Sequence, residues 1–335
     1  MKKQQNSSIS NSKHIFYIIV FLVGFIIIAK FLSAELIFAN EHQTFFISEK
    51  WADFYSKDKD SIEVLVLGPS TAMQGVNPNL FKDLSGLETY NMATPLQKPK
   101  ESYFILKECL NTQNPKYLLM DNYWGVIADD DYIDTKIVNY NEMKYSKEKI
   151  EYFFNVFKPD QYFYGAFPLM NYHKETFKLI DYRRGVLEHF PTKEEVKDIY
   201  LGNGFDKRTL IWNGNDGVQK LSEKDTENKF IFSKEEVKYL KKIYELCEEK
   251  NIKVIAFTSA LAPKYLKYYD NSVCNYAEIN RFVTDFNAEK EIPYKDLNLA
   301  DIDLKFTDFA DTHHLNYDGS TKLTNALYEF FKENL

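Results

Sequence analysis

Cysteine is scarce in this chain: Cys109, Cys247 and Cys274 are the only three in 335 residues, and no Cys-x-x-Cys occurs. Three thiols cannot all pair internally, which excludes a disulfide framework, and the missing doublet leaves no sulfur-held zinc or redox site. Cys109 and Cys247 fall in helical patterns and read as buried thiols. Cationic excess is also missing. With 42 basic against 49 acidic side chains the net charge is −7, so nothing supplies the basic face that a phosphate backbone requires, and nucleic acid is excluded as a partner. Only one apolar run approaches the length of a bilayer span, which excludes a polytopic membrane protein. The turn GPSTAMQG (68–75) has neither Gly-x-Gly-x-x-Gly spacing nor a Lys-Ser/Thr phosphate loop, so a nucleotide-binding Rossmann domain is not supported. What is present is an ordinary folding composition, 44% apolar and 27% charged, long enough for about two domains or one large one. Aromatics are the excess: 24 Tyr, 27 Phe and 3 Trp supply ample core and some surface.

The single apolar run, residues 15–29, is uncharged, and apolar character continues beyond Lys30 through Phe31, Leu32, Leu36 and Ile37. Lys30 can snorkel to a headgroup layer, so 15–37 is read as one transmembrane anchor. Lys2, Lys3 and Lys13 precede it, whereas Glu35, Glu41 and Glu49 follow. The positive-inside rule then makes 1–14 a cytoplasmic tail and exports the chain after about residue 40, as a single-pass protein of the cell membrane. A cleaved signal peptide would give the same compartment. Its candidate sites Ala34 and Ala39 have Leu32 and Ile37 two positions before them, a poor match to small-x-small.

From residue 62 the chain reads as alternating strands and helices. IEVLVLG (62–68), ETYNMA (88–93), KYLLMD (116–121) and IKVIAFTS (252–259) are short, apolar strand candidates, and IPYKDLN (292–298) is a further short strand. Helices are expected over Pro99–Leu110, over Ser233–Lys250 behind a Ser233-x-x-Glu236 capping box, and over about Asp318–Asn334 after a turn containing Gly319. This rhythm predicts a parallel sheet with crossovers, whose ligands sit at the carboxyl ends of the strands. Residues 125–230 interrupt it and read as a largely helical insertion or lid between the two parts of the α/β domain, 40–124 and 231–335. Its aromatics, among them Tyr162, Phe163, Tyr164, Phe167, Tyr172 and Trp212, are core or a surface for sugar rings or membrane. Arg183 and Arg184 are a solvated helix face or a site for an anionic polymer group.

Two features carry chemistry. Ser70 follows the first strand in Gly68-Pro69-Ser70-Thr71, where a hydroxyl and its backbone N–H face the strand-end cleft; a helix N-cap is the alternative role. Near the carboxyl terminus, Asp311-Thr312-His313-His314 places a carboxylate three residues before an imidazole. That pair can fix the Nδ1 proton and leave Nε2 free to take a proton from a hydroxyl. A metal site built from Asp308, Asp311, His313 and His314 is the rival reading, disfavoured because adjacent His side chains diverge; neither a metal nor a cofactor is expected.

Together the two features resemble the SGNH (GDSL-type) hydrolase superfamily, with a Ser directly after the first strand and a D-x-x-H pair before the final helix. VLVLGPSTAMQGVNPNLF, ETYNMATPLQ, PKYLLMDNYWG and DTHHLNYDGSTKLTNAL are similar to the membrane-anchored branch that acts in bacterial cell-surface polymer O-acylation. The resemblance covers 62–123 and 252–333. It implies a three-layer flavodoxin-like parallel sheet (the SGNH hydrolase fold) with a helical insertion and one transmembrane helix before it. It also implies Ser70 as nucleophile, His314 as general base and Asp311 as its orienter. The pattern departs from the family at three points: Pro69 stands where Asp precedes the Ser, Leu96 stands near the second-block glycine, and Asn122 is the nearest stand-in for the third-block Asn. The oxyanion donors are therefore expected among Leu96, Asn91 and Asn122.

The resemblance implies a serine esterase or O-acyltransferase outside the cell. Its substrate would be an acyl ester, acetyl foremost, of a surface polysaccharide or teichoic-type polymer, and its partner a membrane-bound O-acyltransferase. A non-catalytic polysaccharide-binding or scaffold protein is the alternative.

Overall fold

The computed structural model describes residues 5–128, 133–166, 199–214, 232–263, 265–266 and 276–335, with the side chains of 5–12, 32–45 and 133–135 excepted. Cys274, Phe167, Tyr172, Arg183 and Arg184 lie outside the described residues. The chain divides into two compact units, Met1–Thr44 with Lys158–Pro191, and Phe45–Phe157 with Thr192–Leu335.

The first unit holds most of helix α1 (Gln5–Ser56), a 3-10 turn Pro159–Gln161 and a short helix Tyr162–Ala166. Within α1, Lys13–Phe31 is a 19-residue stretch of mean hydropathy 2.4, the one helix among the described residues long and apolar enough to cross a membrane. Its large apolar side chains stand exposed, Phe21 at 70% and Ile27 at 62%, and only Ala29 is buried. Among the described residues no core covers them, and water is a poor solvent for such a surface.

In chain order the second unit holds the end of α1, then β1 (Val64–Leu67), α2 (Ser70–Gly75), α3 (Pro78–Ser85), β2 (Thr89–Asn91), α4 (Pro99–Cys109) and β3 (Tyr117–Asp121). Then come α5 (Ile133–Glu142), α6 (Lys147–Val156), α7 (Lys234–Glu249), β4 (Lys253–Thr258), α8 (Tyr276–Glu289), β5 (Tyr294–Asp296) and α9 (Tyr317–Glu333). The strands form one parallel sheet in the order β2-β1-β3-β4-β5. This is the flavodoxin-like doubly wound order, in which the chain leaves β1 toward one edge and returns through β3 toward the other. Every residue of β1 is buried, as a strand covered on both faces requires, which explains its unbroken apolar sequence. Helices α4, α6 and α7 pack together as one layer, and α9 packs with α2 and α3 as another. Cys109 and Cys247 are buried free thiols in α4 and α7.

Local chemistry sets the helix starts. Asn77 caps α3 by accepting from the N–H groups of Asn79 (3.1 Å) and Leu80 (3.2 Å), with Pro78 in the first turn. Ser233 caps α7 through the Glu236 N–H (3.4 Å), but the expected capping box is only half formed. The Ser233 N–H already donates to the Ile127 carbonyl at 2.8 Å, so Glu236 turns its carboxylate to the Lys100 N–H at the start of α4, 2.9 Å away. Gly319 lies inside α9 and not in the turn before it; glycine is required there because a Cβ would stand 2.1 Å from the Asp308 carbonyl oxygen. α2, α3, α5 and α8 are elements that the strand-and-helix rhythm did not single out.

Two segments outside the strand–helix alternation tie into the sheet of this unit. The end of α1 is core: Lys50, Trp51 and Phe54 are each at most 2% exposed. The segment 199–214 runs from the β2 edge toward the loop after β5. Asp53 accepts from the Tyr200 hydroxyl (2.8 Å) and the Asn203 N–H (2.9 Å), Asn91 N–H donates to the Asn203 carbonyl (2.9 Å), and Trp212 N–H donates to the Phe309 carbonyl (2.7 Å).

Candidate active site

The crevice outside the carboxyl ends of β1 and β3 is the topological switch point of the sheet. Ser70 stands there as the first residue of α2, one step beyond Gly68-Pro69. Gly68 has φ +148°, and a Cβ on it would stand 2.7 Å from the Asp121 Cβ, so only glycine lets β1 leave the sheet so close to β3. Asp121, at the end of β3, accepts from the Thr71 hydroxyl (2.8 Å), the Ser259 hydroxyl (2.7 Å) and the Ser259 N–H (3.2 Å). It thereby fixes the residue next to Ser70 and joins the ends of β1, β3 and β4. Burial pushes the Asp121 carboxyl up to about 6, against the hydrogen bonds that favour its ionised form.

The Ser70 hydroxyl meets His314 Nε2 at 2.8 Å, and His314 Nδ1 meets Asp311 Oδ2 at 2.7 Å. An ionised carboxylate can only accept, so Nδ1 carries the proton and Nε2 is left as the acceptor for the serine O–H. Asp311 also receives the N–H groups of His313 (3.0 Å) and His314 (2.9 Å) on Oδ1. Burial opposes its charge, but the hydrogen bond and charge of His314 and the His313 N–H hold the carboxyl well below the usual range. The two adjacent imidazoles do not diverge as expected: the His313 ring lies 4.0 Å from that of His314, bonds Thr312 Oγ1 (2.9 Å) and stacks on Tyr265; burial, then the neighbouring His314, lowers its imidazole to about 4, so it is neutral near neutral pH.

The structure brings Ser70, Asp311 and His314 together, although almost the whole α/β domain separates them in sequence. Two of the expected oxyanion donors are employed elsewhere, which corrects the sequence reading. The Asn91 amide donates to the carbonyls of Ala72 (3.0 Å) and Val76 (2.9 Å), closing the end of α2, while its oxygen accepts from Ala93 N–H (3.0 Å). The Asn122 amide donates to the Tyr244 hydroxyl (2.8 Å) and the Asn287 oxygen (3.1 Å) between α7 and α8. Both side chains are at most 1% exposed, so neither reaches the cleft. Leu96 is different: it stands at φ +50° with a side chain 38% exposed, in the left-handed conformation that glycine adopts at lowest cost.

Gln97 holds the loop that carries Leu96. Its oxygen accepts from the Gly68 N–H (3.1 Å) and the Ser102 hydroxyl (3.0 Å), and its amide donates to the Met92 carbonyl (3.0 Å) and Thr94 Oγ1 (3.0 Å). Thr94 N–H in turn donates to the Gly68 carbonyl (3.2 Å), so this loop is pinned to the residue two before Ser70. The sequence reading quoted Gln97 and Asp121 inside its motifs but gave neither side chain a role. Arg208 was missed as well. It presents Nε (3.0 Å) and Nη2 (2.9 Å) to the side-chain oxygen of Gln74 in α2, and its Nη1 lies 4.0 Å from Asp311 Oδ2.

Of the four candidate metal ligands, Asp308 does not join the others, because its carboxylate accepts from Lys322 Nζ and from the Lys305 N–H, each at 2.7 Å. The ligand atoms of Asp311, His313 and His314 lie within 4.8 Å of one another. Both ring nitrogens of His314 are already hydrogen-bonded, so a cation held there would displace Ser70 or Asp311. Beside this loop is a cavity of about 470 Å³ between Ile211–Asn213 and Ala310–His313.

A family model with no functional description matches residues 195–335, less than half of the chain. No curated protein matches the sequence. Among solved structures, the chain is similar to a Bacteroides fragilis protein assigned as an acylhydrolase, with 12% identity, a TM-score of 0.38, and 86% of this chain and 94% of that one covered. It is also similar to a GDSL-like lipase from Bacteroides thetaiotaomicron, with 9% identity, a TM-score of 0.41, and 87% and 100% covered.

Proposed function

We propose that the protein is a membrane-anchored serine esterase or O-acyltransferase working outside the cytoplasm on an acyl ester of a cell-surface polymer. The observation that carries the chemistry is the unbroken Ser70–His314–Asp311 hydrogen-bond chain at the switch point of the sheet. His314 Nε2 takes the Ser70 proton as Oγ attacks the ester carbonyl. The tetrahedral oxyanion forms against the N–H groups of Ser70 and Leu96, the first of which has no intrahelical partner at the start of α2. Collapse expels the alcohol, protonated by His314, and leaves an acyl-Ser70. Water then releases the acid, or a sugar hydroxyl takes the acyl group, by the same proton transfers in reverse. The anchor reading rests on Lys13–Phe31 and the lysines before it, with residues 1–14 cytoplasmic and the α/β domain extracellular.

The commitment of Asn91 and Asn122 to structure favours a second reading, in which the triad is retained on a non-catalytic polymer-binding partner of a membrane-bound O-acyltransferase. A fluorophosphonate ester separates the two. We expect covalent labelling of the wild type that disappears in Ser70→Ala; a wild type that takes no label leaves the non-catalytic reading standing. Loss of acetyl esters from isolated surface polymers, compared between wild type and Ser70→Ala, then tests the substrate class.

A further inference from the structure

A lysine is buried behind the loop that carries Leu96. Lys50, on the last turns of α1, is 2% exposed, and its ammonium donates to the carbonyl of Ala93. No carboxylate forms an ion pair with it among the described residues, and Asp206 acts on it only through its charge. Taking an ammonium out of water carries a large desolvation cost, and burial lowers the Lys50 amine to about 7, with the charge of Asp206 drawing it back up. Asp206 is itself buried, at 6% exposure, and burial raises its carboxyl, against the charges of Lys50 first, then of Arg208 and His314. A methionine would fill the same buried space without that cost, so packing alone does not account for a lysine here.

What the ammonium holds is specific. Ala93 is gripped from both sides, its N–H by Asn91 Oδ1 at 3.0 Å and its carbonyl by Lys50. From Ala93 the chain enters Thr94–Gln97, the loop pinned to Gly68 on the other side and strained at Leu96. We propose that Lys50 is a positioning residue for acyl transfer, whose ammonium fixes the Ala93 carbonyl and so aims the Leu96 N–H at the oxyanion. The inference rests on the esterase reading above and adds to it a link from the end of α1 to the reacting centre. The charge of Asp206 opposes the burial of the amine and draws it back toward its ionised form.

The test uses the full chain in detergent, with p-nitrophenyl acetate as substrate and the fluorophosphonate as label, in wild type, Lys50→Met and the double variant Lys50→Met/Asp206→Asn. A misaimed oxyanion donor predicts a kcat lower by roughly ten- to a hundredfold with KM within about twofold, and a matching fall in labelling rate. The double variant removes the orphaned Asp206 charge; its melting temperature recovers while its kcat stays low. Amide hydrogen exchange at 93–97 rises in both variants, a readout that needs no turnover. A kcat restored to the wild-type value in the double variant overturns the proposal, because Lys50 would then only neutralise Asp206. Unchanged kcat and unchanged exchange in Lys50→Met overturn it as well. A wild type that shows neither labelling nor hydrolysis defeats the esterase reading itself, whereas labelling insensitive to Lys50 defeats this inference alone.

Discussion

The two sides of the Ser70 hydroxyl are built in opposite ways. On the base side, Asp311, His313 and His314 fall within four residues of one loop, and Asp311 accepts three hydrogen bonds from that loop alone. On the oxyanion side, the Leu96 loop is held by Gln97, by Gly68 just past β1, by Asn91 from β2 and by Lys50 from α1. A proton relay needs one ring turned correctly, which a short loop can do by itself. An oxyanion hole needs N–H groups aimed to within a fraction of an ångström, and an aim of that kind is set by everything packed behind it.

The comparison is broken most directly on the base side. Asp311→Asn leaves the loop's N–H groups an acceptor but lets Nδ1 lose its fixed proton, and we expect kcat for an activated acetyl ester to fall by about a thousand- to ten-thousandfold with the fold intact by circular dichroism. A fall below about tenfold would show that Asp311 does not orient the base. On the oxyanion side, Gln97→Ala removes four hydrogen bonds at once. The expected cost is about a hundredfold in kcat, together with a lower melting temperature, since buried partners are left unsatisfied.

Asp121 gives a smaller, pH-dependent effect. Burial raises its folded-state carboxyl to about 6, so between the unfolded value and 6 the folded state binds more protons than the unfolded one. Stability therefore falls as the pH rises through that window. Asp121→Asn, which can still bond Thr71 and Ser259, should remove this part of the slope, seen as a gain in melting temperature over wild type that is larger at about pH 7.5 than at about pH 4.5. A gain equal at both values would mean that Asp121 is not raised. The smallest effect is expected at Leu96→Gly, where the φ of +50° is freed of its Cβ penalty. A stabilisation of about 1 kcal/mol, or a few degrees in melting temperature, is expected, and a loss of stability would show that the exposed leucine side chain holds the loop.

The same division decides how much could be read in advance. The strands were legible because β1 and β4 are apolar runs buried on both faces, and such runs leave few alternatives. The base loop was legible because its spacing is its geometry. Gly319 was misplaced because its reason is the carbonyl of Asp308, eleven residues earlier, and local glycine statistics point to a turn. Asn91 and Asn122 were misread because an Asn at a strand end looks the same whether its amide faces the cleft or closes a neighbouring helix; only their acceptors, Ala72 and Val76 for one and Tyr244 and Asn287 for the other, tell the cases apart. Lys50 carried no signal, since a lysine on a helix is solvated by default.

By itself the sequence determined the apolar helix at the amino terminus, the buried parallel strands and the pairing of Asp311 with His314, because each depends on residues near one another along the chain. Tertiary structure decided that Ser70 Oγ meets His314 Nε2 across 244 positions, that two asparagines are spent on structure, and that a buried ammonium stands behind Leu96. Those outcomes depend on which groups the closed sheet brings within hydrogen-bond reach and which it shuts away from water. Both are set by packing between distant segments, and no local pattern encodes them.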